Sequence, residues 1–339
     1  MRRAARAGVL LCGLVTLFAA CGGDTPTSTA EQGLAEVRVH PRGVVDKVDA
    51  LLPWGVAVRD DGLALFTELA SGGVGITSTK TRTLDGFIAT GVTPTGIVFS
   101  PDGNTAYVAN QFGNVSRIDV ATRQVTGFVA IAGPQALRLS PDGSQLFVGT
   151  TGTAVVTVDI ATLNIVRTVE VGSAPNGFAV HPGGRLLYVS SFDAGTVSEI
   201  DMLTGVVLRT LTPFGEPLGR PQEMALNRKG TRLYVATEDV PNEDVATEDG
   251  WLDEFDLASG QLANRIPLQA GAFGVGVTPD DGQAYLTLPS AGLIQIFTLQ
   301  TRKLTKTIDV GGVPRRIAFS QQGRIAAVTN AAGFITFIR

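Results

Sequence analysis

The sequence is short of the residues that carry most enzyme chemistry. It has two histidines, His40 and His181, and two cysteines, Cys12 and Cys21, in 339 residues. Two distant histidines and no spare thiol argue against a zinc centre, a haem ligand set or a Ser-His-Asp triad. There is no G-x-S-x-G, and Gly72-Gly73-Val74-Gly75 lacks the G-K-[ST] ending of a phosphate-binding loop. Charged residues make up only 17% and the formal net charge is -4, with no basic stripe, so nothing marks a nucleic-acid surface. Aromatics are 6%, and no helical spacing persists over three turns. The abundant residue is glycine, 41 in all, set among alternating β-branched side chains, a composition of strands and turns. Disorder is excluded by a hydrophobic content of 44% with so small a net charge.

Residues 1–20 read as an export leader. Arg2, Arg3 and Arg6 precede an apolar run from Ala7 to Ala20 that is too short to stay in a bilayer as a helix. Ala19 and Ala20 directly before Cys21 resemble the bacterial lipobox, although Phe18 stands where that pattern usually has Leu. The resemblance implies cleavage before Cys21 and lipidation of its thiol; the alternative is a leader cut nearby with no lipid. Gly22 is not the aspartate of inner-membrane retention, which in a two-membrane bacterium leans towards the outer membrane. Residues 21–35 then form the anchor and a tether, with GGDTPTSTAEQ (Gly22–Gln32) small, polar and unpatterned. Residues 36–339 are expected to be one domain, monomeric and held by its core, since no cysteine remains for a disulfide. Loss of the three arginines leaves 24 basic and 31 acidic residues, a net charge near -7.

The rest of the chain repeats itself. SPDGNTAYVANQFGNVSRIDVATRQV from Ser100 returns as SPDGSQLFVGTTGTAVVTVDIATLNIV from Ser140. Turn glycines recur at Gly62, Gly103, Gly143, Gly184, Gly230, Gly282 and Gly323. Nine residues before six of them stands a proline: Pro53, Pro94, Pro134, Pro175, Pro221 and Pro314. In the remaining unit PDDG reads as carrying one extra residue, with Ala272 in the proline's place. Successive units start 41, 40, 41, 46, 51 and 42 residues apart. Each contains four strand-like runs, one after the proline, one after the PDG turn and two more around a T-x-x turn. Seven four-stranded units of this length predict an all-β protein, a seven-bladed β-propeller of antiparallel blades. The last unit ends after its third strand. VVDKVDA (Val44–Ala50) precedes Pro53 where a fourth strand belongs, and is expected to complete the seventh blade and close the ring.

YVAN at Tyr107–Asn110, with YVSS and YVAT elsewhere and V-x-x-ID-x-x-T downstream, resembles the YVTN-type propeller repeat over Pro53–Arg339. Propellers of this kind serve as surface proteins, binding scaffolds and, in relatives, enzymes, so the resemblance implies architecture rather than activity. Lactonase-type and lyase-type propellers share the architecture, but no histidine falls at the expected channel mouth to carry over their chemistry.

Strand direction places the PDG turns on one face. The loops between second and third strands share the other face with the proline-bearing connections. That second face varies most and is the expected binding face. The residues after the prolines, Trp54, Thr95, Gln135, Asn176, Gln222, Phe273 and Arg315, should ring its mouth. The next position is Gly or Ala except for Glu223 and Arg316, which are expected to face each other across the channel. Such a pair is read three ways: a structural plug, part of a polar-ligand site, or two separate solvated charges. Phe112 and Phe192 occupy equivalent loops on this face, either exposed for a partner or packed on a neighbour.

The blade-five insertion, Thr237–Trp251, carries Glu238, Asp239, Glu243, Asp244, Glu248 and Asp249 without a Lys or Arg. It is a candidate Ca2+ loop, though its spacing is not that of a calcium-binding hand. A solvated acidic flap and a docking surface for a basic partner are the other readings. His181 is expected in a surface turn. The leading functional expectation is a lipid-anchored, extracytoplasmic scaffold that binds an envelope protein, peptide or glycan through Trp54, Gln135, Asn176, Gln222, Glu223, Arg315 and Arg316. No cofactor is otherwise expected. The alternatives are a metal-dependent hydrolase or lactonase-like enzyme using Glu223, Glu68 and the acidic loop, and a structural envelope protein.

Overall fold

Seven four-stranded antiparallel sheets follow one another around a ring in the computed structural model, which describes residues 43–212, 219–238, 250–320 and 325–339. Among the described residues there is no helix. In blades one to six each sheet runs from inner to outer strand in chain order, as in Pro94–Phe99, Thr105–Asn110, Asn114–Asp119 and Gln124–Ala130. In the seventh, Pro314–Phe319, Ala326–Asn330 and Phe334–Ile338 are joined by Val44–Asp49 as the outer strand. Lys47 lies opposite Thr336 and Asp49 opposite Phe334, so the two ends of the ring share one sheet.

The core is divided among the junctions between blades. Among the described residues, seven apolar clusters each join two consecutive blades. Leu65 and Ile76 of blade one meet Val108 and Ile118 of blade two, for example. The closing strand serves two junctions. Val44 packs with Ile308 and Ile338 between blades six and seven, while Val48 packs with Phe66 and Phe337 between blades seven and one. Residues four apart on a regular strand share a face. A register shift between Val44 and Asp46 breaks that rule and sends the two valines to opposite sides.

The turns explain the repeated motifs. In SPDGN the Ser100 hydroxyl donates to Asp102 Oδ1 at 2.5 Å, and the Asn104 N–H donates to the same oxygen at 3.1 Å. Gly103 takes the left-handed conformation the turn requires, φ 69°. Blade six corrects the sequence reading of PDDG. Thr278 and Gly282 bond to Asp280 in the same way, and Asp281, not Gly282, holds the left-handed position with φ 58°. The unit therefore has no extra residue, and Ala272 stands nine positions before its turn residue like the prolines. Aspartate is among the few residues that enter this conformation readily, and here the Asp281 carboxylate accepts the Arg228 N–H from blade five at 2.8 Å. The D-x-x-T turns between third and fourth strands are also aspartate-capped: Asp119, Asp159 and Asp201 accept N–H groups of Thr122, Thr162 and Thr204 at 2.7, 2.9 and 2.9 Å.

Near the axis the blades are joined by hydroxyls. The Gly55 N–H donates to Thr67 Oγ1, which donates to the Thr95 carbonyl of the next blade, both at 2.8 Å. Ser190 links Gly177 to the Gln222 carbonyl, and Thr287 links Gly274 to the Arg315 carbonyl. Thr329 accepts the Arg316 N–H at 3.0 Å and donates to the Trp54 carbonyl at 2.8 Å, across the seam where the ring closes. In blade two the position holds Ala109, and Thr95 itself donates to the Gln135 carbonyl at 2.9 Å. Blade five holds Ala236 there, and the Glu223 N–H bonds directly to the Phe273 carbonyl at 3.1 Å. The approach is too close for side chains: a Cβ on Gly55 or Gly177 would lie 2.2 Å from the neighbouring carbonyl oxygen.

Two expectations follow. Thr329→Val keeps the shape of the side chain but leaves a buried N–H and carbonyl unpaired, which should cost about 1–3 kcal/mol. Urea unfolding would measure this, and an unchanged midpoint would mean that the relay contributes nothing at the seam. Asp201 is buried, and the Thr204 N–H, then Arg185, hold its carboxyl down from its ordinary 3.8 to about 2. A depressed folded-state value gives stability that is complete above the unfolded value and lost as pH falls through the folded one. The melting temperature should therefore fall between pH 4 and pH 2, and Asp201→Asn should lower it at pH 7 while flattening that fall.

Candidate functional site

Seven inner strands leave a central cavity of about 440 Å³, lined by Gly55–Val58, Gly96–Phe99, Asn176, Glu223–Ala225 and Arg316–Phe319 among others. Its mouth is where the residues following the prolines stand. Six of their seven backbone carbonyls, all but that of Asn176, accept an inter-blade hydrogen bond among the described residues, which leaves chiefly their side chains for a ligand.

The mouth has an aromatic side and a polar side. Trp54 of blade one and Phe273 of blade six meet edge to face, ring centroids 5.6 Å apart. The Arg315 guanidinium lies 5.0 Å from the Trp54 centroid and 4.9 Å from that of Phe273. Phe273 is buried, whereas Trp54 and Arg315 keep part of their surface in solvent. A guanidinium held over an aromatic face gains about 0.5–2 kcal/mol and loses mobility.

On the polar side the structure brings Glu223 and Arg316 together as an ion pair, each side chain 15% exposed. Arg316 also donates to Asn176 Oδ1 at 3.2 Å; Asn176 donates to Gln222 Oε1 at 2.7 Å, and Gln222 to Glu238 Oε2 at 3.3 Å. One chain of contacts thus links blades seven, four and five, and Gln222 is buried within it. The side chain of Gln135, on blade three, makes no hydrogen bond in this network among the described residues. Burial, and then the positive charge of Arg138, bring the Arg316 guanidinium down from its ordinary value to about 10, so it stays protonated at neutral pH.

Arg138 is the residue that sequence reasoning missed. It sits in blade three two positions beyond Ala136, on the same side of its inner strand, and lines the cavity. Its Nη2 donates to the Phe178 carbonyl at 3.0 Å, while much of its side chain stays exposed on the cavity wall. The residues at this second lumen-facing position are Ala57, Val98, Arg138, Ala179, Ala225, Gly276 and Ala318. An arginine among small residues is the same signal that singles out Glu223 and Arg316, displaced by two residues along the strand.

Other expectations scatter. Phe112 is 75% exposed, while Phe192 is half-buried beneath Arg220, 5.3 Å from its ring. His181 lies on the opposite face in a surface turn, its Nδ1 accepting the Gly183 N–H at 3.0 Å. Glu68 is buried and accepts the Leu51 N–H and the Ser71 hydroxyl, so it is not brought to Glu223. Of the insertion's carboxylates only Glu238 is described; Asp239, Glu243, Asp244, Glu248 and Asp249 lie outside the described residues, as do Cys21 and His40. Among the described residues no three His, Cys, Asp or Glu side chains are grouped to hold a metal ion.

No protein-family model matches the chain, and no curated protein matches its sequence. Among solved structures it is similar to "Kuenenia stuttgartiensis Hydrazine Synthase", with a TM-score of 0.79 and 19% identity, over 92% of this chain and 99% of that one. At that identity the likeness is one of fold alone, and it supports the propeller.

The pair at the mouth is open to a direct test. Glu223→Gln leaves Arg316 enclosed without its anion and should lower stability by about 1–3 kcal/mol, less than a dry site would lose because the pair borders the cavity. Adding Arg316→Gln should recover most of that loss. Additive losses in the double-mutant cycle would mean the two charges are not coupled.

Proposed function

We propose that this protein is a lipid-anchored, extracytoplasmic binding scaffold of the YVTN repeat type, which receives an envelope protein, peptide or glycan at the channel mouth. The observation that carries this reading is the Trp54–Phe273–Arg315 cluster beside the Arg316–Asn176–Gln222 chain. Arginine and tryptophan are the side chains that dominate recognition surfaces. Here they are fixed by rings and hydrogen bonds on a rigid support, which limits the entropy lost on binding. The polar chain offers directional contacts for a peptide backbone or sugar hydroxyls next to an apolar anchor.

A metal-dependent hydrolase or lactonase-like enzyme is the second reading. It asks Glu223 to serve a metal while facing Arg316, and it is ranked lower for that reason. A purely structural envelope protein would be indifferent to changes at the mouth.

The test is cross-linking mass spectrometry on intact cells carrying the full chain. The expected result is a set of cross-links from mouth-side loops to one envelope component, lost in Arg315→Glu. Cross-links confined to the 21–35 segment, or unchanged in Arg315→Glu, would overturn the reading. In the same cells Cys21→Ser should move the protein from the membrane to the soluble fraction.

A further inference from the structure

The lumen of the ring is walled by Gly, Ala and Val on the two inward positions of every inner strand, apart from Glu223, Arg316 and Arg138. Two of these three are cations. Glu223 neutralises Arg316, and among the described residues no carboxylate pairs with Arg138. The channel wall therefore carries one surplus positive charge. Its hydrogen-bonding capacity is also incomplete: Arg316 Nε is buried without an acceptor, and the hydrogen bond found for Arg138 is the one to Phe178. Arg138 stands exposed on the channel wall with N–H groups open to a ligand, and the small walls leave room for one. Guanidinium groups present paired N–H donors that match the geometry of planar or tetrahedral oxyanions.

We propose that the channel holds a small oxyanion, a carboxylate or phosphate group, between Arg138 and Arg316. The group is a free anion or the charged tip of a larger ligand. A cation is disfavoured by the surplus charge, and the 440 Å³ cavity limits what enters it to a small group. The inference rests on the channel end being the ligand site, but not on which macromolecule approaches the mouth.

Isothermal titration of the purified full chain with sodium phosphate and with sodium acetate, against sodium chloride at equal ionic strength, tests it. One saturable site per chain is expected for at least one oxyanion, with chloride much weaker. Tighter phosphate binding assigns a phosphate group, and tighter acetate binding a carboxylate. Arg138→Gln should weaken binding at least tenfold, and Glu223→Gln should tighten it by removing the competing carboxylate. Should Arg138→Gln fail to fold, Arg138→Lys keeps the charge but loses the fork and should weaken binding several-fold. No saturable site in the native chain, or unchanged affinity in a folded Arg138 variant, would overturn the proposal. Neither result touches the cross-links at the mouth, because Trp54 and Arg315 are intact in these variants. Loss of a mouth partner with anion binding preserved would overturn only the scaffold reading.

Discussion

The contact on which the whole arrangement depends is the one between each inner strand and the backbone of the next blade. In six of the seven blades the carbonyl of the residue after the proline, or after Ala272, accepts a hydrogen bond from its neighbour, and without that bond it would remain unpaired. Thr67, Ser190, Thr287 and Thr329 do this with a hydroxyl that accepts from its own blade and donates to the next. Because donation and acceptance run through one oxygen, the inner strands are held at a fixed spacing. The distance is short enough that only glycine fits at Gly55, Gly177 and Gly274. The small residues lining the channel are thus a consequence of how blades are joined, and not only of crowding at the axis.

That constraint gives the exceptions their meaning. Where blade five has Ala236 in place of the hydroxyl, its neighbour contact becomes a direct bond from the Glu223 N–H to the Phe273 carbonyl, and the inward position carries a carboxylate. In blade seven Thr329 still receives the Arg316 N–H, yet the junction to blade one admits an arginine. Glu223 and Arg316 then meet, so the two departures from the small-residue rule complement each other. Arg138 departs without a complement. A ring that otherwise keeps charge out of its lumen has admitted three charged side chains and balanced only two.

Much of this was legible in the repeat. Seven prolines or their equivalent, seven turns and a last unit lacking one strand were enough for the ring and for its closure by Val44–Asp49. The facing of Glu223 and Arg316 followed from their blades. What the sequence hid were details that depend on three-dimensional register. PDDG resembles an insertion because its turn residue is aspartate, and only the backbone reveals that Asp281 does the work of glycine. The third residue of the YVAN-type run, Ser190 in YVSS, looks merely small. Its hydroxyl matters only once the next blade's carbonyl is beside it. Arg138 is hidden because it stands four residues beyond its proline, and only the pleat, which turns side chains two apart into the same space, places it with the Ala136 position.

The site inherits its rigidity from both radii of the ring. Inside, the hydroxyl relay fixes the strands that carry the mouth residues. Outside, arginines of outer strands and turns reach across to adjacent blades. Arg123 donates to the Asp85 carbonyl, Arg167 to those of Met202 and Leu203, and Arg209 to that of Leu257. Arg302 grips the buried carboxylate of Glu254 at 2.7 Å. A blade held at both edges cannot tilt without breaking bonds on two sides. The mouth side chains therefore gain their positions from the scaffold instead of from a ligand, and the energy of ordering them is already spent in folding. In such a ring, specificity has to come from the identity of the side chains at the mouth and in the lumen. That is where this sequence departs most from its own repeat.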